Sequence, residues 1–251
     1  MPWELGGTYK SASQRARVVS EGWGEQNLYC PACTSRRLRR AAANTEAVDF
    51  NCPQCDSPFQ LKCQSHRFGA TIMDAGYEAM CRAINAGRTP NLLALHYEPG
   101  AWRVIDLLLI PRFAFSTSCI QPRKALSVSA RRRGHVLCKI LLSNIPPDAR
   151  IPVVIAGRPA DPAFVRRDYA RMRPLEELKA EARGWTLDVL NVVRGLGRRE
   201  FSLAEVYAHE SELARLHPGN RFVRPKIRQQ LQILRDLGFV QFLGAGQYRT
   251  T

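Results

Sequence analysis

No stretch of the chain approaches the roughly 18 consecutive apolar residues that a membrane-spanning helix requires, so a membrane partner is not expected. The opening Met1-Pro2-Trp3-Glu4 lacks a charged segment running into an apolar one. No secretory signal is therefore expected, and the expected compartment is the cytoplasm, where thiols stay reduced. Internal repeats and low-complexity tracts are missing too, and no coiled-coil heptads argue for a stable dimer, which leaves a monomer as the expectation. Acidic residues are scarce: 22 Asp and Glu stand against 37 Lys and Arg, a net charge of +15. What is present is a chain of 251 residues, 45% hydrophobic and 24% charged, enough to bury a genuine core. The basic surplus is shared, +11 over residues 1–180 and +4 over residues 181–251, so each part suits a polyanion. A merely charged surface is the competing reading, and basicity alone does not choose between them.

The first 180 residues carry strand-length apolar runs at Val48-Asp49-Phe50, Phe59 to Cys63, Leu92 to Tyr97 and Val104 to Ile110. Helical patterns cover Ser13 to Ser20 and Asp74 to Asn85. These predict a mixed sheet flanked by helices, with strands buried on both faces. The stretch Pro146 to Pro174, rich in Pro, Arg and Asp, is expected to lead to a linker or docking helix. Residues 181–251 read differently. Trp185 to Leu196 is helical, and Ser202-Leu203-Ala204-Glu205 has the form of a capping box opening a second helix. A third helix follows Pro225, with Ile227, Leu231 and Leu234 on its core face, and Gly238 closes it. Residues 239–249 then form a hairpin across Gly244-Ala245-Gly246. Three helices and a hairpin give the winged-helix order.

Cys30 and Cys33 form one C-x2-C knuckle, and Cys52 and Cys55 form another 18 residues later. Two such knuckles aim four thiolates at one tetrahedral Zn2+, and a site filled by sulfur is structural. Cys63, Cys81, Cys119 and Cys138 lack partner spacing and are expected as small buried hydrophobes.

Asp49 precedes the second knuckle, and Gln60-Leu61-Lys62 follows it. An acid on one strand followed by acid-x-Lys on the next is the metal-dependent nuclease pattern, with residues 60 and 62 pointing the same way and Gln60 standing in the acid's place without its charge. Asp49 and Gln60 would share a Mg2+, with Lys62 beside the attacking water; under the nuclease hypothesis the Leu61 carbonyl joins them as a third metal ligand. Alone the pattern is weak, since Asp and Lys on adjacent strands usually make a surface pair.

The chain resembles the DpnI-like methyl-directed restriction endonucleases. The resemblance rests on Thr8-Tyr9-Lys10-Ser11 with Ser13-Gln14, on Tyr29-Cys30-Pro31, on Arg183-Gly184-Trp185-Thr186 and on the run Lys226 to Asp236. Ala130-Arg131-Arg132 and Gly134 also fall in register. It implies a PD-(D/E)XK nuclease domain with an inserted zinc knuckle over 1–180 and a winged helix over 181–251. The implied activity is Mg2+-dependent double-strand cleavage at adenine-methylated sites of the form G-m6A-T-C. Asp49 and Lys62 match the family's catalytic residues, whereas Gln60 replaces its glutamate and His135 replaces a tryptophan. Candidate DNA contacts are Arg131, Arg132, Arg133 and His135 in the first part, and Arg224, Arg228, Gln229 and Gln232 in the second. Arg suits guanine and Gln suits adenine in the major groove. Two other readings stay open: a reader of methylated DNA that lost its chemistry at Gln60, and a zinc-ribbon transcription factor.

Overall fold

The apolar runs resolve into a mixed α/β architecture in a computed structural model that describes residues 1–42, 45–125 and 134–251. In chain order come α1 (Ala12–Asn27), β1 (Arg39–Arg40), β2 (Phe50–Asn51), β3 (Pro58–Gln64), β4 (Thr71–Gly76), α2 (Tyr77–Asn85), β5 (Asn91–Glu98) and β6 (Arg103–Ile110). Then follow β7 (Ile120–Pro122), β8 (Leu137–Leu141), β9 (Ile151–Ile155), β10 (Arg158–Pro159), α3 (Pro162–Met172) and α4 (Ala180–Gly195). The chain closes with β11 (Glu200–Ser202), α5 (Leu203–Tyr207), α6 (Glu210–Leu216), α7 (Val223–Asp236), β12 (Val240–Gly244) and β13 (Gln247–Thr250). These elements gather into two units, one of residues 1–72, 88–112 and 148–173, the other of residues 73–87, 113–147 and 174–251.

The first unit is built on a seven-stranded sheet in the order β1-β2-β3-β5-β6-β9-β10. The β3–β5 pair is parallel, while β2–β3, β5–β6 and β6–β9 are antiparallel. Leu92, Leu93, Ala94 and Leu95 in succession are buried, which is what an unbroken apolar run needs: cover on both faces. Gly24 lets α1 approach β2 closely, because a Cβ there would meet the Phe50 ring at 2.7 Å. Asn91, fully buried, donates to the Pro58 carbonyl at 3.1 Å and accepts from the Arg112 amide at 3.0 Å and the Tyr169 hydroxyl at 3.1 Å. A buried amide so satisfied joins β3, β5 and α3 without a desolvation penalty left over.

Some sequence expectations need correction. The Pro146–Pro174 stretch contains a helix, α3 with Asp161 as its N-cap, but it is not a linker, since β9 within it pairs with β6 in the main sheet. Pro152 disguised the strand, and its side chain lies on the exposed side. The helix expected from Asp74 starts instead at Tyr77, because residues 71–76 join a three-stranded sheet of order β4-β8-β7.

The second unit holds that small sheet and the C-terminal helices. Its α4 starts five residues ahead of Trp185 and is buried on nearly every side, through Trp185, Leu187, Val189, Leu190 and Val193. Arg183 donates to the Ile84 carbonyl of α2 at 3.2 Å. Between α4 and α7, the hydroxyl of Thr186 donates to the buried Gln230 side chain at 2.7 Å. Ser202 and Glu205 make both bonds of the capping box. The second helix expected there breaks into α5 and α6. Ile227, Leu231 and Leu234 are fully buried, as their spacing predicts. Gly244 and Gly246 take positive φ (97° and 74°) at the hairpin turn, and β11 adds a third strand in the order β11-β13-β12. The expected fold class is therefore the observed one: a large mixed sheet with an inserted four-cysteine cluster, followed by a helix-turn-helix domain with a wing.

Candidate functional site

The four knuckle sulfurs lie within 4.8 Å of one another, with Cys30–Cys55 at 3.6 Å and Cys33–Cys52 at 3.5 Å. Tetrahedral thiolates around Zn2+ stand about 3.8 Å apart, and a disulfide would need about 2.05 Å. The donor set and spacing thus fit one metal ion held by four cysteines. Backbone amides support the sulfurs: Ser35 N–H donates to Cys33 at 3.5 Å and Gln54 N–H to Cys52 at 3.4 Å. Burial pushes the Cys30 thiol up. Burial also acts to raise Cys52, but the Gln54 and Cys55 amides outweigh it and bring that thiol down to about 7. Arg166 of α3 clamps the first knuckle, its Nε donating to the carbonyls of Cys30 at 3.2 Å and Cys33 at 3.0 Å while its guanidinium lies over Tyr29. That clamp has no local sequence signal, since 133 residues separate Arg166 from Cys33. Of the other cysteines, Cys119 and Cys138 are buried as expected, whereas Cys63 and Cys81 are only half-buried.

Asp49 sits between the knuckles in sequence and beside β3 in space. Its amide donates to the Phe59 carbonyl at 2.8 Å, and its Oδ2 accepts from the Leu61 amide at 2.7 Å. Burial raises the Asp49 carboxyl above its ordinary range, with the Leu61 amide and the Lys62 and Arg17 charges pulling against it. Gln60 and Lys62 share one face of β3, the face that also carries Gln64. The structure thus brings Asp49 up against the segment Gln60-Leu61-Lys62.

Glu21 of α1 joins this group, and the sequence reading missed it. Burial raises its carboxyl, Arg17 at 3.2 Å pulls it back, and the charge of Asp49 pushes it up again. A signal was available: Arg17, Ser20, Glu21 and Gly24 recur at helical spacing, and the small members mark a face that packs closely. On the neighbouring strands, the His96 ring nitrogen lies 3.0 Å from Asp106. By register Lys62 pairs with Ala94 and Gln64 with His96, so this His–Asp pair shares the Lys62 face of the sheet.

A model of the Dam-replacing family, DpnI, matches residues 1–178, and one of the Dam-replacing HTH domain matches residues 181–250. The chain belongs to the DpnI family. Membership sets it in a family of methyl-directed nucleases, with an HTH domain whose partner is DNA. For a DpnI-family chain the exposed face of α7 is then of interest. Arg228, Gln229 and Gln232 are exposed there. Arg224 is exposed as well, but its Nε is 2.7 Å from Glu210 and its guanidinium lies over Tyr207. His135 is exposed against Gly76, where a Cβ would come within 2.8 Å of its ring. Arg131, Arg132 and Arg133 lie outside the described residues.

A buried network in the second unit also escaped the sequence reading. Asp188, 3% exposed, accepts from Ser118 at 2.6 Å and pairs with His217 at 2.7 Å, and His217 stacks on Trp185 at 3.8 Å. It ties the segment around Ser118 to α4 and to the turn after α6. None of the described helices is long and apolar enough to cross a membrane.

Proposed function

We propose that this DpnI-family chain is a Mg2+-dependent type II endonuclease that cuts both strands of adenine-methylated DNA, at G-m6A-T-C. Residues 1–180 carry the nuclease chemistry and residues 181–251 read DNA. The observation that carries the reading is Asp49 hydrogen-bonded to the backbone between Gln60 and Lys62, within a chain matched along its length by the family models. Asp49, Gln60 and the Leu61 carbonyl hold the metal, which when bound supplies charge neutralisation and a more acidic water. The Lys62 ammonium lowers the cost of forming hydroxide and offsets the charge that gathers on the phosphorus oxygens as water attacks in line. The bond to the leaving 3′ oxygen breaks, giving a 5′-phosphate and a 3′-hydroxyl. Zn2+ at Cys30, Cys33, Cys52 and Cys55 does no chemistry; it braces the loop that presents Asp49. On the DNA side, Arg224, Arg228, Gln229 and Gln232 approach from the HTH domain, and Arg131, Arg132, Arg133 and His135 from the nuclease part.

Gln60 favours a second reading. Its amide oxygen is a metal ligand without charge, and a family member so altered would read methylated DNA without cutting it. One assay separates the two. Plasmids from adenine-methylating and non-methylating hosts are incubated with the protein and Mg2+ or Mn2+. Cutting of the methylated plasmid alone, abolished by Lys62→Ala, is the expected result. Binding without cutting in either metal leaves the reader, and equal cutting of both plasmids removes the methyl dependence.

A further inference from the structure

Four of the five residues at positions 36–40 are arginine, on the segment that leaves the first cysteine knuckle. None of them belongs to the candidate metal site or to the helix-turn-helix contacts. The segment is firmly held. The Cys30 amide donates to the Ser35 carbonyl at 3.2 Å, and the Ser35 hydroxyl to the Arg37 carbonyl at 3.0 Å. The amide of Leu38, whose side chain is buried, donates to the Leu28 carbonyl at 3.0 Å. Arg36, Arg37, Arg39 and Arg40 all remain exposed on this fixed backbone, so little order has to be created when an anion arrives.

Arg39 and Arg40 make up β1 and go to opposite faces of the sheet. Arg40 lies opposite Phe50, and its Nε is 3.2 Å from Glu25. It therefore turns toward α1, where the Phe50 ring packs against Gly24. Arg39 lies opposite Asn51, and Asn51 lies opposite Pro58 of β3. Gln60 is two residues beyond Pro58 and Lys62 two beyond that, so Arg39 shares the face of the sheet that carries them. The same segment is tied to Asp49, because the Ala41 amide donates to the Asp49 carbonyl at 2.9 Å. Strand spacing and rise put the Cα atoms of Arg39 and Gln60 about 12 Å apart, and the long arginine side chain spans part of that gap. Among the described residues Arg39 has no carboxylate partner, in contrast with Arg40.

We propose that Arg39 is a DNA-positioning residue whose guanidinium grips a backbone phosphate flanking the one cut at Asp49 and Lys62, with Arg36 and Arg37 adding to the positive edge of the sheet. A guanidinium presents paired N–H donors that match two phosphate oxygens, which a point charge does not. Gripping the strand to one side of the metal ligands fixes where the scissile bond lies over them. The proposal rests on the reading of residues 1–180 as the nuclease part. It gives the cysteine knuckles a second task, the display of these cations, beside that of bracing Asp49.

The test uses the full chain and fluorescence anisotropy on methylated GATC duplexes, with Ca2+ in place of Mg2+ and the KCl concentration varied. Arg39→Ala weakens binding about tenfold and lowers the slope of log affinity against log salt by about 0.9, the share of one phosphate. Arg39→Lys restores the slope. Arg40→Gln, one residue away on the α1 face, leaves it unchanged. A neutral methylphosphonate is then placed singly along the duplex. It weakens the wild type at one phosphate beside the scissile bond, and Arg39→Ala is indifferent to it there. An unchanged slope in Arg39→Ala, an equal loss in Arg40→Gln, or the lack of any position of indifference overturns the proposal. A wild-type protein that does not cut the methylated duplex in Mg2+ fails the functional reading and this proposal with it, and wild-type cleavage alone reveals that outcome.

Discussion

The Asp49 carboxylate is held 2.7 Å from the amide of Leu61, the residue between Gln60 and Lys62. One hydrogen bond thus joins the end of the loop between the cysteine knuckles to the strand that carries the other two candidate catalytic side chains. It also fixes an acid where burial disfavours its charge, and that charge in turn pushes the Glu21 carboxyl up.

That arrangement predicts a trade between stability and activity. A carboxyl with a raised folded pKa contributes stability below its unfolded pKa and loses it as pH rises through the folded value. Near neutral pH, ionised Asp49 therefore weighs against the fold. Asp49→Asn keeps an oxygen for the Leu61 amide, so its melting temperature should equal or exceed that of the wild type while cleavage disappears. A clear drop in melting temperature, read by circular dichroism at pH 7.5, would count against the burial argument. Glu21→Gln should shift stability in the same direction.

Restoring the charge at position 60 is expected to strengthen metal use. Gln60→Glu adds a carboxylate beside Asp49, and a gain of about 1.4 kcal/mol would tighten apparent Mg2+ affinity about tenfold. Cleavage rates against Mg2+ concentration measure it, and calorimetry with Ca2+ gives an independent reading. Unchanged affinity by both methods would remove residue 60 from the metal site.

Removal of the knuckle metal should act through position rather than chemistry. Cys52→Ser, or extraction with a thiol-compatible chelator, should release about one Zn2+ per chain and lower cleavage at least tenfold. Binding by the HTH domain should persist, since Cys30, Cys33, Cys52 and Cys55 all belong to the other unit. Zinc content by atomic emission, followed beside cleavage and binding, checks the point.

The buried contact between Thr186 and Gln230 should be worth more as a pair than either member alone. Thr186→Val or Gln230→Leu strands a polar partner in the core and should cost about 1–3 kcal/mol. The double variant leaves neither group stranded and should cost less than the sum of the two. Urea denaturation of the four proteins closes that cycle, and strict additivity would argue that the contact contributes nothing.

Local chemistry is legible in the amino-acid sequence. The two C-x2-C pairs identify a four-cysteine group that could hold a metal ion, because ligand spacing along the chain already limits where four sulfurs meet. Ile227, Leu231 and Leu234 fall on the buried face of α7, and the Ser202–Glu205 cap forms both of its bonds, because helical period and capping depend on neighbours within four residues. What escapes are features created by contacts across long stretches of chain. The strand hidden around Pro152 is specified by β6, Arg166 finds the first knuckle from more than a hundred residues away, and Glu21 reaches Asp49 only because Gly24 lets α1 settle onto Phe50. Spacing and periodicity determined which face of α7 is buried and which sulfurs can share a metal. Tertiary packing alone decided which buried charges face one another, because that depends on distances that no stretch of sequence encodes locally.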